Sequence, residues 1–196
     1  MAKDANSVIK KYLADMHALE THGLQAVSRQ AEQLKDAKHP DALRAVQGFR
    51  TTLAGHVAAL DQRLKTLGGS ADRPVQDTVA AMAGVVAGIY NAVRSEEASK
   101  SIRDDYTFFS HSAIAYLMLH TTTEALGDQA SAALAEAGYR DMARMVMEID
   151  RLMPGLVIAE LQQDGLSVDD VQAHCQQLVS DAWKTASPSA SVRVGP

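Results

Sequence analysis

Apolar residues return every three or four positions along almost the whole chain, which places them on one face of successive helices. The first run predicts a helix from about Ser7 to Lys35, with Ile9, Leu13, Met16, Glu20, Leu24, Val27, Ala31 and Leu34 on its inward stripe. His39-Pro40-Asp41 then reads as a turn, the proline being suited to the first position of a new helix. That second helix carries Leu43, Val46, Leu53, His56, Leu60, Leu64 and Leu67, and stops at Gly68-Gly69. A third segment opens at Asp72 and Pro74 and runs through Val75, Val79, Met82, Val86, Ile89 and Val93. Gly84 and Gly88 weaken it as a free-standing helix. A polar stretch from Arg94 to Lys100 precedes a long helix through Ile102, Phe109, Ala113, Leu117 and Leu119, ended by Gly127-Asp128. Asp128 can cap the next helix, which holds Leu134, Met142, Met145, Ile149 and Leu152 until Pro154 breaks it. Ser167-Val168-Asp169-Asp170 offers a capped start for a last helix ending near Trp183.

No hairpin signal and no short repeat interrupts this pattern, so the fold class expected is all-α. Long helices joined by short turns pack as antiparallel neighbours in a bundle. The segment from Val75 to Val93 supplies one long connection halfway along the chain. A four-helix bundle with a crossover helix in the middle, followed by a C-terminal helix, is ferritin-like topology. Residues 1–185 are read as one such domain, and the aperiodic stretch 186–196 as a mobile tail.

Composition narrows the picture without redirecting it. Aromatic residues are only 5% while Ala, Leu and Met are plentiful, which suits helix-on-helix packing better than a sheet. A net charge of −5 leaves no electrostatic footprint for nucleic acid or an anionic membrane. No apolar run approaches the ~20 residues of a bilayer-spanning helix. The one cysteine, Cys175, cannot form an internal disulfide and fits a reducing compartment. The first residues turn polar at once, without the apolar stretch of a secretory signal, so a cytoplasmic location is expected.

Candidate chemistry rests on polar residues set among apolar ones. Glu20 lies four residues after Met16 and four before Leu24, and a buried carboxylate is costly unless it is paired or bound to a cation. Alternatively it sits at the stripe's edge and bonds a hydroxyl or a histidine. His56, between Leu53 and Leu60, faces inward or nearly so, as a core hydrogen-bonding residue or as a ligand. His111 and His120 are nine residues apart and point to opposite sides of their helix. Asp141 and Glu148 share a face but stand two turns apart, too far for one metal ion. A dinuclear iron or manganese bundle draws on Glu-x-x-His, and none occurs in this chain; His17-x-x-Glu20 is the reverse order. There is no zinc-type Cys/His spacing, no Gly-rich phosphate loop and no His-Glu-x-x-His. Ser110-His111-Ser112, adjacent on a helix, builds no nucleophile–base pair.

Several stretches resemble one family in order and spacing. They are Tyr12-Leu13-Ala14-Asp15-Met16-His17-Ala18-Leu19-Glu20, His39-Pro40, and Leu60-Asp61-Gln62-Arg63-Leu64 with Leu67-Gly68. Phe108-Phe109-Ser110-His111-Ser112-Ala113-Ile114-Ala115, Glu124-Ala125-Leu126-Gly127-Asp128, Met142-Ala143 and Leu152-Met153-Pro154 continue the likeness. Together they resemble the YciF-type ferritin-like family of bacterial stress-associated proteins, over roughly residues 8 to 161. The resemblance implies a ferritin-like bundle, usually dimeric, with a carboxylate-bridged dinuclear metal centre and a role in stress responses. Glu20 falls on the family's first-helix glutamate. Where that pattern has Glu-Glu-Thr, Glu-Ile-Ala and Glu-Glu, this chain has Thr51-Thr52-Leu53, Ala113-Ile114-Ala115 and Asp141-Met142. These replacements remove the anionic oxygens that hard cations demand.

Three functional readings follow. The first is a non-enzymatic ferritin-like protein, with no catalytic residues and no cofactor, acting as a homodimer or larger homo-oligomer or through a partner. The second is a binding protein with a remodelled pocket for iron, manganese, zinc or a small ligand, built on Glu20, His56, Asp141 and His111. An active ferroxidase ranks last, because fold analogy favours it but the site is mostly replaced.

Overall fold

The computed structural model describes residues 4–36, 39–69 and 98–185. Its first helix, α1 (Ala5–Gln33), starts at Asp4, whose carboxylate accepts from the Ser7 N–H at 3.0 Å. A 3₁₀ turn over Leu34–Asp36 follows it. α2 (Pro40–Thr66) has its proline in the first turn and ends at Leu67, just before Gly68-Gly69. α3 (Ala98–Ala125) and α4 (Gln129–Gln163) are joined by a tight turn. Gly127 takes φ +76°, which a side chain would resist, so the Asp128 N–H can reach back to the Thr123 carbonyl at 2.9 Å. The Asp128 side chain then accepts from the Ser131 N–H and caps α4, as expected. α5 (Gln172–Thr185) completes the described elements.

α1 packs on α2 and α3, and α4 packs on α2, α3 and α5. Near the end of α1, Gln30 bonds Ser101 at the start of α3, at 2.7 Å. Near the end of α2, Arg63 bonds Ser131 at the start of α4, at 2.8 Å. Adjacent helices are therefore antiparallel, and α2 and α3, on the diagonal, run the same way. Two parallel helices require a connection that returns along the bundle, which is the ferritin-like arrangement. The crossover segment expected at Val75 to Val93 lies outside the described residues, as does the tail from Ala186. Between the four helices Leu13, Leu53, Ile102, Phe109 and Met142 are fully buried, with the Phe49 and Phe109 rings edge to face at 5.0 Å.

Three expectations need correction. Pro154 does not break α4, which continues to Gln163. The proline removes one backbone bond, but Ile149 before it and Leu156 after it are both buried. Glu160 further on accepts from both the N–H and the hydroxyl of Ser99, at 2.8 and 2.5 Å. That contact also explains the second correction: α3 begins at Ala98, inside the stretch read as a polar spacer. The third concerns the facing of α3, where Leu117 is exposed while Phe108, Ser112, Tyr116 and Thr123 are buried. α5 buries no residue. It is held by Trp183, whose Nε1–H donates to Asp150 at 2.8 Å, and by Gln176 donating to the Arg151 carbonyl at 3.2 Å. Among the described residues no helix is long and apolar enough to cross a membrane.

Candidate functional site

Midway along the bundle one layer is polar. Glu20 reaches it from α1 because its position in the stripe is as deep as that of Leu13, and its side chain is fully buried. His56 reaches it from α2, where buried Leu53 and Leu60 flank it by three and four residues. Asp141, beside buried Met142 on α4, lies at the rim with its side chain 24% exposed. The imidazole stands between the two carboxylates. Nδ1 faces Glu20 Oε2 at 3.3 Å, and Nε2 faces Asp141 Oδ2 at 3.0 Å. An ionised carboxylate only accepts, so Nε2–H donates to an ionised Asp141, while toward Glu20 the bond follows the proton: Nδ1–H donates to an ionised Glu20, or a protonated Glu20 donates to Nδ1. On the outer side of Asp141, exposed Arg144 pairs with its other oxygen from one helical turn further on.

Tyr116 closes the layer from α3, its ring edge-on to His56 with centroids 5.5 Å apart. It fits because Gly138 on α4 has no side chain: a Cβ there would lie 2.4 Å from the Tyr116 ring. Burial pushes the Tyr116 phenol well above its usual range, and the nearby Glu20 charge adds to the effect. Burial likewise pushes the Glu20 carboxyl up, against the hydrogen bond and charge of His56, which favour its ionised form. Glu20 Oε1, Tyr116 Oη and Ser112 Oγ, one turn before Tyr116, are buried without a hydrogen-bond partner.

Three of the four candidate residues, Glu20, His56 and Asp141, are thus brought together. His111 is not among them: it is exposed on α3 and lines an apolar cavity of about 260 Å³ with Tyr12, Met16, Ile114 and Met118. His120 is engaged elsewhere, its Nδ1–H donating to the Ala132 carbonyl at 3.0 Å, and Glu148 is solvated. The family's expected ligand positions fare differently. Thr51 and Ile114 are exposed and Ala113 is half-buried, so α2 and α3 contribute His56 and Tyr116 to the layer instead. Sequence reasoning missed Tyr116 because an aromatic on an apolar face is ordinary core. It also missed Arg144, for which the signal was present in its spacing of three from Asp141. Among the described residues no three His, Cys, Asp or Glu side chains are grouped so as to hold a metal ion.

A second polar junction ties the far end of α2 to the α3–α4 turn. Arg63 Nε donates to Ser131 Oγ at 2.8 Å and Nη2 to Asp128 Oδ1 at 2.6 Å, while Ser131 Oγ–H donates to Asp128 Oδ2 at 2.6 Å. Burial alone would raise the Asp128 carboxyl, but the bonds from Arg63 and Ser131 and the Arg63 charge together hold it below its usual range.

Comparison with curated proteins finds no match. Among solved structures, protein XCC3681 from Xanthomonas campestris is similar with a TM-score of 0.66 and 18% identity, covering 83% of this chain and all of that one. The stress protein YciF of E. coli is similar with a TM-score of 0.64 and 17% identity, covering 80% of this chain and 99% of that one. At such identities the likeness is one of fold. The family described as Domain of unknown function (DUF892) matches residues 5–162, a span that ends before α5. With α1 to α4 arranged as a ferritin-like bundle and that match covering all but the last residue of α4, the chain belongs to the DUF892 family.

Proposed function

We propose that the protein is a non-enzymatic, stress-associated ferritin-like bundle of the cytoplasm that works through its outer surface and through self-association. The observation carrying this reading is the His56 ring, both of whose nitrogens are committed to carboxylates. Two hard cations side by side need several carboxylate oxygens around them. Here Glu20 is the one fully buried carboxylate of the layer, Asp141 is drawn outward by Arg144, and α2 and α3 offer an imidazole and a phenol. This donor set does not fit a dinuclear centre. The stress association is supported by the printed description of the E. coli neighbour. Self-association is supported by the outer face of α3, where Ile114, Leu117 and Met118 are 58%, 42% and 53% exposed and form one apolar row. Symmetric pairing is the common way to cover such a row. The net charge of −5 argues against nucleic acid as the partner.

Two measurements test the proposal. Aerobic Fe(II) oxidation should stay at the protein-free background, and rapid oxidation of two irons per chain would overturn the non-enzymatic reading. Light scattering at micromolar concentration should give at least twice the 21.0 kDa chain mass, and a monomer would overturn the self-association. A second reading, a remodelled pocket for a single iron, manganese or zinc ion or a small polar ligand, draws on the unpartnered Glu20 Oε1, Ser112 Oγ and Tyr116 Oη. Elemental analysis of protein purified without chelators separates the two: near-stoichiometric metal would favour the second.

A further inference from the structure

We propose that two copies of the chain pair antiparallel along α3, about a two-fold axis level with Tyr116, each filling the other's cavity between α1 and α3. The inference rests on the self-association reading and adds to it the face, the pairing and the side chains that interlock. Charge sets this face apart. From Tyr106 to Thr123 the sequence carries no Asp, Glu, Lys or Arg, whereas Lys100, Arg103, Asp104 and Asp105 precede the run and Glu124 follows it. The outer faces of α2 and α4 carry exposed ion pairs instead, such as Arg44 with Asp41 and Arg140 with Glu136. Depletion of charge is the compositional mark of an interface core. Thr107, His111, Ile114, Met118 and Thr121 are all exposed, at alternating steps of four and three, the spacing of a seam between two helices.

Both halves of a joint lie on this face. Tyr12, Met16 and Leu19 of α1, with Ile114 and Met118 of α3, wall the cavity of about 260 Å³, and exposed Ile114 and Met118 also stand out from it. A different partner would need one half or the other. Two copies related by a two-fold axis each bring both, and the contact closes after two. In the antiparallel pair Ile114 of one copy faces Met118 of the other, and His111 faces Thr121. Asp15 and His111 also line the cavity, polar groups of the kind an interface keeps toward its edge. Electrostatics favour the same occupant. A chain of net charge −5 repels its copy, and like charges set opposite each other are costly, so two copies meet best along a strip where neither is charged. The uncharged run is about 27 Å long at 1.5 Å per residue, and α1 beside α3 makes the face about 20 Å wide. That is about 500 Å² in flat projection, and side-chain relief brings it toward the about 800 Å² per partner of a standard interface.

Charge reversal across the axis is the test. Ile114→Glu with Met118→Glu, and separately Ile114→Lys with Met118→Lys, alter only exposed positions. Each variant sets like charges opposite one another and should raise the dimer dissociation constant about 100-fold or more, read by light scattering over a dilution series. Mixed one to one, the two variants should form a heterodimer, because Glu then faces Lys. Ala58→Lys, exposed on α2, should leave the wild-type constant unchanged. A dimer that both charged variants keep, or a mixture that stays monomeric, would overturn the pairing while self-association stands. A monomeric wild type would sink the self-association reading itself, so the two failures are distinguishable. Amide exchange of the wild type needs no substitution and covers a charged variant that does not fold. Protection from Thr107 to Thr121 and around Met16 should rise with protein concentration, and protection there that ignores concentration would overturn the pairing.

Discussion

Gly138→Ala is the substitution for which the structure and ordinary helix propensity predict opposite signs. In an exposed helix interior, Gly to Ala stabilises by about 0.5–1 kcal/mol. Gly48 and Gly55 on α2 are such positions, with no atom within 4 Å of where a Cβ would stand. At Gly138 the same Cβ would lie 2.4 Å from Cε1 and Cζ of Tyr116 and 2.7 Å from Cδ1. Ordinary contact begins near 3.4 Å, so the ring would have to retreat by about 1 Å in a well-packed core. Tyr116 is 1% exposed and edge-on to His56, so it cannot retreat without disturbing the polar layer. Overpacking of this kind costs about 1–3 kcal/mol, which outweighs the propensity gain and leaves a net loss of roughly 1–2 kcal/mol. For a chain of this size that lowers the melting temperature by roughly 2–8 °C, whereas Gly55→Ala should raise it by a few degrees. Thermal and urea melts of both variants read the contrast. A third variant, Gly138→Ala with Tyr116→Leu, should show no further loss beyond Tyr116→Leu alone, because the clashing ring is gone. Equal stabilisation by Gly55→Ala and Gly138→Ala would refute the reasoning.

Arg63→Gln should destabilise by about 1.5–3 kcal/mol at neutral pH, the value of hydrogen bonds to a charged group, because it strips two bonds from the Asp128–Ser131 junction. The Asp128 carboxyl is held below its ordinary 3.8, so its stabilising contribution is complete above that value and is lost as pH falls through the lowered one. The gap between wild type and variant in urea melts should therefore narrow as the pH falls below 3.8, and a gap unchanged by acid would count against the ion pair. The one tryptophan, Trp183, sits on a helix that buries nothing, and its bond to Asp150 is exposed. Its fluorescence should respond at lower urea than the helical circular dichroism does; coincident transitions would show that α5 unfolds with the bundle.

How much of this was legible in the sequence differs from element to element. The hairpin of α1 and α2 could be read because period and punctuation agree: the stripe from Ile9 to Leu34 is followed by Pro40, and that of α2 by Gly68-Gly69. The facing of α3 could not be read from period. Ile114, Leu117 and Met118 are apolar and exposed, while Ser112, Tyr116 and Thr123 carry hydroxyls and are buried. When a helix is apolar on most sides, its neighbours decide which side is core. Pro154 misled for a related reason: a local rule about backbone bonds was overridden by burial on both sides of the proline.

At the polar layer, Glu20 and His56 were visible as breaks in an apolar stripe, but their partnership joins residues 36 apart and that of His56 with Asp141 joins residues 85 apart. Nothing in either helix alone specifies it. The resemblance to a known family carried the ligand positions to Thr51-Thr52-Leu53 and Ala113-Ile114-Ala115, whereas the layer takes His56 and Tyr116. His56 is four residues beyond Thr52, where that pattern has a glutamate, and Tyr116 is three beyond Ala113. Residues three or four apart on a helix share a face, so an alignment can slip by one turn without disturbing the buried stripe. A stripe repeats and tolerates that slip. A layer has one member per helix at one depth, and the slip exchanges that member for a neighbour of different chemistry. The fold is therefore carried by a pattern that survives low identity, while the site depends on a register that the pattern leaves open. The contacts of Glu20, His56 and Asp141 show which residues share a layer in this chain.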